Sequence, residues 1–453
     1  MRPFVPNVDL IKKYDRQGPR YTSYPTALKF SDAVNREELC QDIIRGRSPI
    51  SLYFHIPFCE TLCWFCGCFT EITKDQSRAD NYLDYIEKEI SLMGPMLDKD
   101  RRVCQLHLGG GTPNFLSSEQ LERLAGLIRG QFNLEENSEN SVELDPRRLS
   151  HQQVKTLRET GFGRASFGVQ DCNLEVQKVI NRIQPHEQNI EVMGWLREEG
   201  FNSINIDLIY GLPLQTVESF EETLDLVLQL DPDRFAIFSY AHVPWMKPSQ
   251  KLLEDAGLPS PAIKLQLLKC CIEKLTAAGY VYVGMDHFAK PDDELVVAQN
   301  NGSLQRNFQG YSTRGGTDVL ALGVSSISQT NRTYRQNFKS FTEYAAAIDG
   351  GELPIDRGYI LTHDDQIRRH VIMRLMCDCK LNFESLSQSL DISFAEYFAP
   401  ELDSFDEMKA DGLLTVDDNV LKVSPMGRLL IRNIAMHFDA YRDSREKRFS
   451  RTV

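Results

Sequence analysis

The chain has 453 residues, of which 42% are hydrophobic, so it is long and apolar enough for a large catalytic domain and a smaller second one. Its 64 acidic residues outnumber its 51 Lys and Arg, and the net charge of −13 disfavours a general nucleic-acid binder. No run of about 18 consecutive apolar residues occurs and the amino end lacks a secretory pattern, so we expect a cytoplasmic protein without membrane insertion.

The first predicted element is an arm over residues 1–48. It contains the turn-rich segment 17–26, with Gly, Pro and Tyr in close succession, and then a helical pattern over 35–44. Glu37 and Glu38 suit the first turn of that helix, because acidic side chains interact favourably with a helix amino terminus. The arm is predicted to lead into a core domain.

Three closely spaced cysteines, Cys59, Cys63 and Cys66, follow the first strand-like run. Thiolates are soft ligands that suit iron-sulfur clusters, and three of them on a four-iron cubane leave one iron open to another molecule. A structural zinc site is instead closed by four protein ligands, so a zinc knuckle that recruits Cys68 remains the alternative. We expect the other seven cysteines to be reduced structural residues.

Short apolar runs alternate with longer amphipathic ones through the middle of the chain. The strand-like runs are 51–55, 103–108, 141–144, 164–168, 203–210 and 234–240. The helix-like runs are 80–92, 118–132, 151–159, 188–199, 217–230 and 261–278. This alternation predicts an α/β fold with repeated βα units around a parallel, barrel-like sheet. In such sheets the loops after the strands' carboxyl ends build the active site.

Two motifs fall at those carboxyl ends. The glycine-rich segment 109–113 follows the second predicted strand, where residues without side chains let the backbone approach a ligand closely. Glu143 ends the third strand and fits a carboxylate that accepts hydrogen bonds from a ribose or an ammonium group. Taken alone, a glycine triplet marks a tight turn and a strand-end Glu is an exposed charge. Their position downstream of the cysteines favours a ligand site.

After the turn at 352–356 the periodicity becomes helical, with predicted helices over 364–377, 393–411 and 425–440. A short strand-turn-strand pattern precedes the last helix, over 413–416 and 420–423. We therefore predict a catalytic barrel with its extension over 49–355 and a small, mostly helical domain over 356–453. The helical domain is expected to act as a lid or packing module, because the acidic chain opposes a DNA-binding winged helix.

The Cys-x3-Cys-x2-Cys pattern, with the aromatic Phe65 before its last cysteine, resembles the signature of radical S-adenosylmethionine (SAM) enzymes. Within that superfamily the chain is similar to the oxygen-independent coproporphyrinogen III oxidases over nearly its whole length. The runs that carry this resemblance are 18–26, 59–68, 109–113, 143–146, 168–171, 205–213, 284–288, 306–311 and 427–433.

The resemblance implies a partial (β/α)6 TIM-like radical SAM barrel and a 4Fe-4S cluster on the three cysteines. The open iron would hold SAM, whose cleavage by an electron from the cluster gives a 5′-deoxyadenosyl radical. The implied reaction is the oxidative decarboxylation of two propionates of coproporphyrinogen III to vinyls, giving protoporphyrinogen IX in haem synthesis. A flavodoxin-type electron donor, an unidentified electron acceptor and a monomeric enzyme are also expected.

The resemblance also implies roles for individual residues. The metal ligands are Cys59, Cys63 and Cys66. The residues matching positions around a first SAM molecule are Tyr53, Gly110, Glu143 and Ile327. Those matching positions around a second SAM molecule are Phe65, Gly111, Thr112, Gln170, Arg182, Asp207 and Ala241. No side chain is expected to act as a nucleophile, and Tyr53 and Glu143 are assigned to shielding and positioning.

A charged residue of the arm is a candidate for contact with the tetrapyrrole substrate. Arg20 offers a cation to a substrate with four propionates, although a structural turn packed on the barrel is an equal alternative. The sequence departs from the family's usual residues near the cluster at Trp64, at Phe69 and over 241–248. These departures leave two related alternatives, a haem-opening methyltransferase or a haem chaperone. A nonenzymatic zinc-binding protein is the third.

Overall fold

The computed structural model describes residues 7–442 together with 449 and 451. Residues 1–6, 443–448, 450, 452 and 453, which belong to the predicted first and last segments, lie outside the described residues. The strands are β1 Ile50–Ile56, β2 Phe58–Cys59, β3 Glu71–Ile72, β4 Arg102–Gly110, β5 Asn133–Leu144, β6 Arg164–Gln170, β7 Ser203–Tyr210, β8 Arg234–Ser239, β9 Val281–Gly284, β10 His287–Ala289, β11 Gln305–Asn307, β12 Gly310–Ser312, β13 Asp318–Leu322, β14 Ile327–Gln329, β15 Thr333–Asn337, β16 Ile355–Ile360, β17 Lys380–Asn382, β18 Leu414–Val416 and β19 Val420–Val423.

The α-helices pack mainly on the outside of the large sheet and in the carboxyl-terminal part. They are α1 Val8–Tyr14, α2 Arg36–Arg45, α3 Ser77–Met93, α4 Ser118–Gln131, α5 His151–Glu159, α6 Leu174–Val179, α7 His186–Glu198, α8 Val217–Leu228, α9 Pro261–Ala277, α10 Glu294–Asn300, α11 Phe341–Asp349, α12 His363–Asp378, α13 Phe383–Leu390, α14 Phe394–Tyr397, α15 Ala399–Asp403, α16 Asp406–Ala410, α17 Pro425–Leu429 and α18 Ile431–Ala435.

A twelve-stranded sheet forms the centre of the molecule, in the order β16-β15-β14-β13-β1-β4-β5-β6-β7-β8-β10-β9. The strands from β13 through β8 run parallel, whereas both edges of the sheet continue as antiparallel strands. All six predicted strands are confirmed, and the mixed α/β barrel agrees with the fold predicted from the sequence. β13, which pairs with β1, adds a parallel strand that the pattern did not predict.

β13 was missed because every one of its five residues is buried. A short strand that is buried on both faces lacks the alternation of apolar and polar residues by which a strand is recognised in a sequence. The helices between the parallel strands begin at residues that cap their free amides. Ser117, Ser150 and Thr216 each form a capping box at the start of α4, α5 and α8.

One face of the parallel strands is polar and lines the inside of the barrel. Residues two apart in a strand share a face. The polar series are Glu139, Ser141 and Glu143 in β5, and Ser203, Asn205 and Asp207 in β7. They line a cavity of about 210 Å³ inside the barrel, which β12 closes on one side through Tyr311 and Ser312. The opposite faces carry the buried aliphatic residues that pack under the helices.

The carboxyl-terminal part is helical around a three-stranded sheet in the order β17-β19-β18, and the predicted strand-turn-strand is confirmed. The prediction of one continuous helix over 393–411 and another over 425–440 is wrong. The first is three short helices, α14, α15 and α16, and Pro400 stands at the start of α15. Proline has no amide hydrogen and is compatible with a first helical turn but not with a helix interior.

The amino-terminal arm is attached to the rest of the chain by buried hydrogen bonds. The hydroxyl of Tyr334 donates to the carbonyl of Tyr24 at 3.0 Å, and the hydroxyl of Tyr21 donates to Asp439 at 2.9 Å. Arg432 of α18 donates to the backbone carbonyl of Pro19 at 2.9 Å. The arm therefore lies between the barrel and the carboxyl-terminal helices. Among the described helices, none is both long and apolar enough to cross a bilayer.

Candidate active site

The three predicted metal ligands lie on one segment between β1 and α3, with Cys59 at the end of β2 and Cys63 and Cys66 on the loop that follows. Backbone hydrogen bonds hold this loop in place, from Trp64 to the carbonyl of Ile180 at 3.0 Å and from Cys66 to that of Cys63 at 3.0 Å. The side-chain amide of Asn181 donates to the carbonyl of Leu62 at 2.8 Å. The turn after α6 thus fixes the cysteine loop at the carboxyl end of the barrel.

Each thiol has a distinct polar neighbour. The Cys59 sulfur lies 3.3 Å from the Thr112 hydroxyl, and the Cys63 sulfur lies 3.5 Å from Nη2 of Arg147. A hydrogen bond from Cys68 lowers the pKa of the Cys66 thiol to about 6, whereas burial raises that of Cys59 to about 11. Cations and hydrogen-bond donors near the sulfurs favour thiolates, which are the ligand form.

The donor set, with Thr112 and Arg147 beside two of its three sulfurs, fits a 4Fe-4S cluster. A Cβ added at Gly67 would meet no atom within 4 Å, so the loop borders open space next to Cys66 and Cys68. On its other side the loop is tight, since a Cβ at Gly111 would lie 2.7 Å from the Pro57 carbonyl carbon. Within the described residues, no three His, Cys, Asp or Glu side chains are gathered closely enough for one metal ion.

A buried ion network stands behind Cys63. Asp145 accepts hydrogen bonds from Arg147, at 2.6 Å from Nη2, and forms an ion pair with Arg182 at 3.4 Å. Burial by itself would raise the pKa of Asp145, but the two guanidinium groups lower it to about 2. Arg182 also lies 3.7 Å from the Cys63 sulfur, so two cations face one thiol. The predicted SAM ligand Arg182 is thus next to the cluster loop, with its Nε buried and without a partner.

Gly110 and Glu143 meet at the ends of β4 and β5. The Gly110 amide donates to Oε2 of Glu143 at 3.0 Å, and His107 lies 3.3 Å from Oε1. Gly110 has a φ of +114°, and a Cβ there would lie 2.6 Å from the His55 ring, so the position requires glycine. Burial would raise the pKa of Glu143, yet the bonds from His107 and Gly110 lower it. The carboxylate therefore stays ionised and can accept hydrogen bonds from a ligand.

Tyr53 is placed one strand away from this corner, on β1. Its ring stacks on the ring of His107 with a centroid distance of 5.7 Å, and its hydroxyl lies 3.1 Å from Nδ1 of His55. Nε2 of His55 lies 3.0 Å from the carbonyl of Phe69. Phe69, one of the residues that depart from the family's usual sequence, therefore lies near the same corner. Burial raises the pKa of Tyr53, so its phenol is neutral.

Asp207 extends into the barrel from β7. It accepts hydrogen bonds from Asn205 at 2.7 Å and Ser166 at 3.2 Å. Burial and the nearby charge of Glu143 raise its pKa to about 7. Gln170, at the end of β6, has a φ of +68°, a conformation that a non-glycine residue rarely adopts.

Phe65 and Ala241 are far apart in the sequence, but their backbone carbonyls accept hydrogen bonds from the same side chain. The Nε2 atom of Gln250 donates to the carbonyls of Phe65 at 3.0 Å and Ala241 at 3.3 Å, and Gln250 is 1% exposed. This residue joins the cysteine loop to the segment after β8. Ile327, at the start of β14, packs against an aromatic cluster that contains Phe30 and Tyr334.

Four residues of this region were not predicted from the sequence: His55, His107, Arg147 and Gln250. Arg147 directly follows the 143–146 run, and His55 begins the cysteine segment, so proximity to a motif was a usable signal for both. His107 alternates with Gln105 in β4, a pattern that points two polar residues to one face. Gln250 lies outside the quoted runs, and no local signal indicates it.

Comparison with known proteins agrees with this geometry. A family model described as the Radical SAM superfamily, whose members bind a 4Fe-4S cluster and SAM, matches residues 53–227, and one described as the HemN C-terminal domain matches 361–430. The oxygen-independent coproporphyrinogen III oxidase of Synechocystis sp. is 46% identical, covering 99% of this chain and 98% of its own. That of Escherichia coli is 48% identical, covering 98% of each chain.

The solved structure of coproporphyrinogen III oxidase (HemN) from Escherichia coli superposes with a TM-score of 0.92 at 47% identity, covering 96% of this chain and 99% of the other. The match spans the barrel, the arm and the carboxyl-terminal helices, so it is more than a shared barrel fold. With the cysteine loop and the Gly110–Glu143 corner in place, the chain belongs to the oxygen-independent coproporphyrinogen III oxidase family of radical SAM enzymes.

Proposed function

We propose that this protein catalyses the anaerobic oxidative decarboxylation of two propionate side chains of coproporphyrinogen III to vinyls, giving protoporphyrinogen IX in haem biosynthesis. The observation that carries the proposal is the meeting of the three-thiol loop with the Gly110–Glu143 corner at the mouth of a polar barrel. Relatives that share nearly the full chain are named for this reaction.

Cys59, Cys63 and Cys66 would hold the cluster. Tyr53, Gly110, Glu143 and Ile327 are proposed to surround one SAM molecule. The ionised state of Glu143 supports this assignment, because a carboxylate accepts from ammonium and hydroxyl groups. When bound, the reduced cluster and SAM supply one-electron cleavage of a carbon–sulfur bond and thereby a hydrogen-abstracting radical.

A second SAM molecule is proposed to lie among Phe65, Gly111, Thr112, Gln170, Arg182, Asp207 and Ala241. The unpartnered Nε of Arg182 supports a carboxylate there. The carboxyl group of Asp207 reaches into the barrel, where it can accept hydrogen bonds from an ammonium or ribose group. The link from Phe65 through Gln250 to Ala241 supports a single pocket for these residues.

The chain's own residues orient the reactants and exclude water. No nucleophile is required, because each propionate loses a hydrogen atom from its β-carbon, then carbon dioxide, and one electron passes to an acceptor. Tyr53 and His107 close one wall of the barrel as stacked rings, so the reacting carbon is kept from solvent. Glu143 and its donors fix the position of the bound cofactor.

The remaining parts of the proposal concern the setting of the reaction. The enzyme is organised as an arm over 1–48, a barrel with its extension over 49–355 and a helical domain over 356–453. It works as a monomer in the cytoplasm, receives electrons from a flavodoxin-type donor and passes electrons to a separate acceptor. All eleven cysteines lie among the described residues with free thiols, which supports a reducing compartment.

An anaerobic assay of the reconstituted protein tests the function. SAM, a reductant, coproporphyrinogen III and an electron-accepting extract are supplied, and 5′-deoxyadenosine and protoporphyrin are separated by chromatography. We expect both products, and the loss of both in Cys63→Ala. A methylated porphyrin would indicate a methyltransferase instead, and haem retained without turnover would indicate a chaperone. Deoxyadenosine without decarboxylated product would refute coproporphyrinogen III as the substrate.

A further inference from the structure

A cavity of about 310 Å³ lies outside the barrel mouth, between the amino-terminal arm, the segment after β8 and the carboxyl-terminal helices. Its volume suits a part of a tetrapyrrole, such as one or two side chains, better than the whole macrocycle. The lining residues that matter here are Arg20, Trp245, Lys264, Asp286, Arg428 and Arg432.

The cavity is strongly cationic although the chain as a whole has a net charge of −13. Its described lining contains the cations Arg20, Lys264, Arg428, Arg432 and Arg451, and Asp286 is the carboxylate among them. Asp286 is already paired with Arg20, at 2.5 Å. Arg451 is likewise paired with Asp15, at 2.6 Å. The positive charge considered below is that of Lys264 and Arg428.

Lys264 and Arg428 contact neutral groups. Among the described residues, neither forms an ion pair, and Lys264 donates to the backbone carbonyl of Tyr240 at 3.3 Å. Arg428 donates to Val283 and to the side chain of Gln299, and its Nε is buried without a partner. Burial lowers the pKa of Lys264 to about 8, and the nearby charge of Asp15 offsets this effect only in part.

Half-buried cations without an opposite charge nearby are costly, and such charges are commonly found where a ligand supplies the opposite charge. Arg432 has a different task, because it donates to the carbonyls of Gly18 and Pro19 and so fixes the arm that carries Arg20. The arm, α9 and α17 therefore each bring a cation to one small space. Guanidinium and ammonium groups in this arrangement match carboxylates.

The cavity borders residues of the candidate active site. Ala241 lines it, and Gln250 connects Ala241 to Phe65 on the cysteine loop. Tyr210, at the carboxyl end of β7 three residues after Asp207, lines it as well. At the rim, Trp245 is 57% exposed, and its flat indole suits the face of an aromatic or pyrrolic ring.

We propose that this cavity is the subsite for the two propionates that the reaction leaves intact, with Lys264 and Arg428 as their cationic partners. This inference rests on the proposed function and names the residues that hold its substrate. In coproporphyrinogen III the retained propionates lie on neighbouring pyrroles, so two adjacent cations can anchor both. Anchoring one side of the macrocycle presents the other two propionates to the barrel mouth.

The test uses reconstituted holoenzyme and two probes, coproporphyrin III and its uncharged tetraamide, with binding followed by quenching of porphyrin fluorescence. Lys264→Met and Arg428→Met are each expected to weaken binding of coproporphyrin III about tenfold or more, because removing one member of a buried charge pair is costly. Binding of the tetraamide should change less than about twofold, as it has no charge to pair. Lys264→Arg should retain most of the affinity.

Lys274→Met is the matched control, since Lys274 lies on the same helix but pairs with Glu221 and Asp225. It should bind coproporphyrin III like the wild type. In turnover assays, KM for coproporphyrinogen III should rise about tenfold in Lys264→Met, with a smaller change in kcat. Circular dichroism and the cluster absorbance of each variant must match the wild type.

The carboxylate that Lys264 and Arg428 bind could instead belong to the methionine part of a second SAM molecule. Equilibrium dialysis of labelled SAM separates the two, because the proposal requires SAM stoichiometry and affinity to be unchanged in both Met variants. Reduced SAM binding with unchanged porphyrin binding overturns the inference. Wild-type affinity for both probes in Lys264→Met and Arg428→Met also overturns it, while product formation by the wild type would leave the proposed function standing. Failure of the wild type to form protoporphyrin overturns both.

Discussion

At the scale of single residues, the buried Asp145 and the half-buried Asp207 have opposite pKa shifts. Asp145 is held at about 2 because Arg182 and Arg147 face it, whereas Asp207 is raised to about 7 because burial and Glu143 oppose its charge. The same residue type is thus an anion in one place and near its titration point in another. The difference comes from neighbours that are distant in sequence.

Asp207 gives the SAM-free protein a stability that falls as pH rises. Its folded pKa lies above the unfolded value of about 3.9, so the folded state binds more protons between these values. Asp207→Asn removes this dependence. Relative to the wild type, the variant should gain stability from about pH 4 to about pH 7 and then level off, by at most about 4 kcal/mol at about 1.4 kcal/mol per pKa unit.

Melting temperatures at pH 5, 6, 7 and 8 measure this difference. The exposed Asp255→Asn serves as the control and should show a difference from the wild type that does not vary with pH. A stability difference between Asp207→Asn and wild type that is flat or falls over this range would contradict the raised pKa.

Arg147 is expected to tune the cluster's reduction potential. Its guanidinium lies 3.5 Å from the Cys63 sulfur, and a nearby cation favours the reduced, more negative cluster. Arg147→Gln should lower the potential by about 65 mV, if a hydrogen bond of about 1.5 kcal/mol to a charged group is lost at 59 mV per tenfold change. Redox titration followed by electron paramagnetic resonance measures the shift.

Arg148→Gln is the neighbouring control, because Arg148 pairs with Glu60 and has no recorded contact with a cysteine sulfur. Its potential should match the wild type. An unchanged or higher potential in Arg147→Gln would show that this guanidinium does not act on the cluster.

At the scale of elements, the cysteine loop depends on a side chain from the segment between β8 and α9. Gln250 accepts from the Val243 amide at 2.6 Å and donates to Phe65 and Ala241. Gln250→Met keeps the size but leaves these buried backbone groups without partners, which costs about 1–3 kcal/mol. We expect a lower melting temperature and faster loss of the cluster in air, measured by the decay of its visible absorbance.

The exposed Gln152→Met, on α5, is the matched substitution and should leave both properties unchanged. Equal cluster lifetimes in Gln250→Met and wild type would mean that the loop is held without this link.

At the scale of the whole molecule, the fold should outlast its cluster. The large buried core packs around the sheet, while the cysteine loop is held by hydrogen bonds from the backbone and from Asn181 and Gln250. Chelation of iron under mild oxidation should therefore leave the far-ultraviolet circular dichroism nearly unchanged. Limited proteolysis should increase within residues 60–70, because loss of the cluster removes bonds to three cysteines.

Mass spectrometry of the peptides locates the cleavage, and the reconstituted protein treated with the same protease is the reference. A cooperative loss of circular dichroism on iron removal would instead show that the cluster is required for the fold, as in small metal-dependent domains.

The sequence by itself determined the six predicted strands of the barrel, most of the helices around them and the identity of the three-thiol loop. These features are local, because apolar periodicity and cysteine spacing are read within a few residues. The family resemblance supplied the assignment of SAM-binding residues, and these remain proposals. The broken helices near Pro400 and the fully buried β13 show where local patterns fail, since burial on all sides removes periodicity.

Only the tertiary structure decided which groups share a site. Arg182 lies 119 residues from Cys63, and Gln250 lies 185 residues from Phe65, yet each pair is in contact. The excess of cations between the arm, α9 and α17 is likewise invisible in a chain with a net charge of −13. Electrostatic and hydrogen-bond partners depend on distances in space, and those distances are fixed by the packing of elements far apart in sequence.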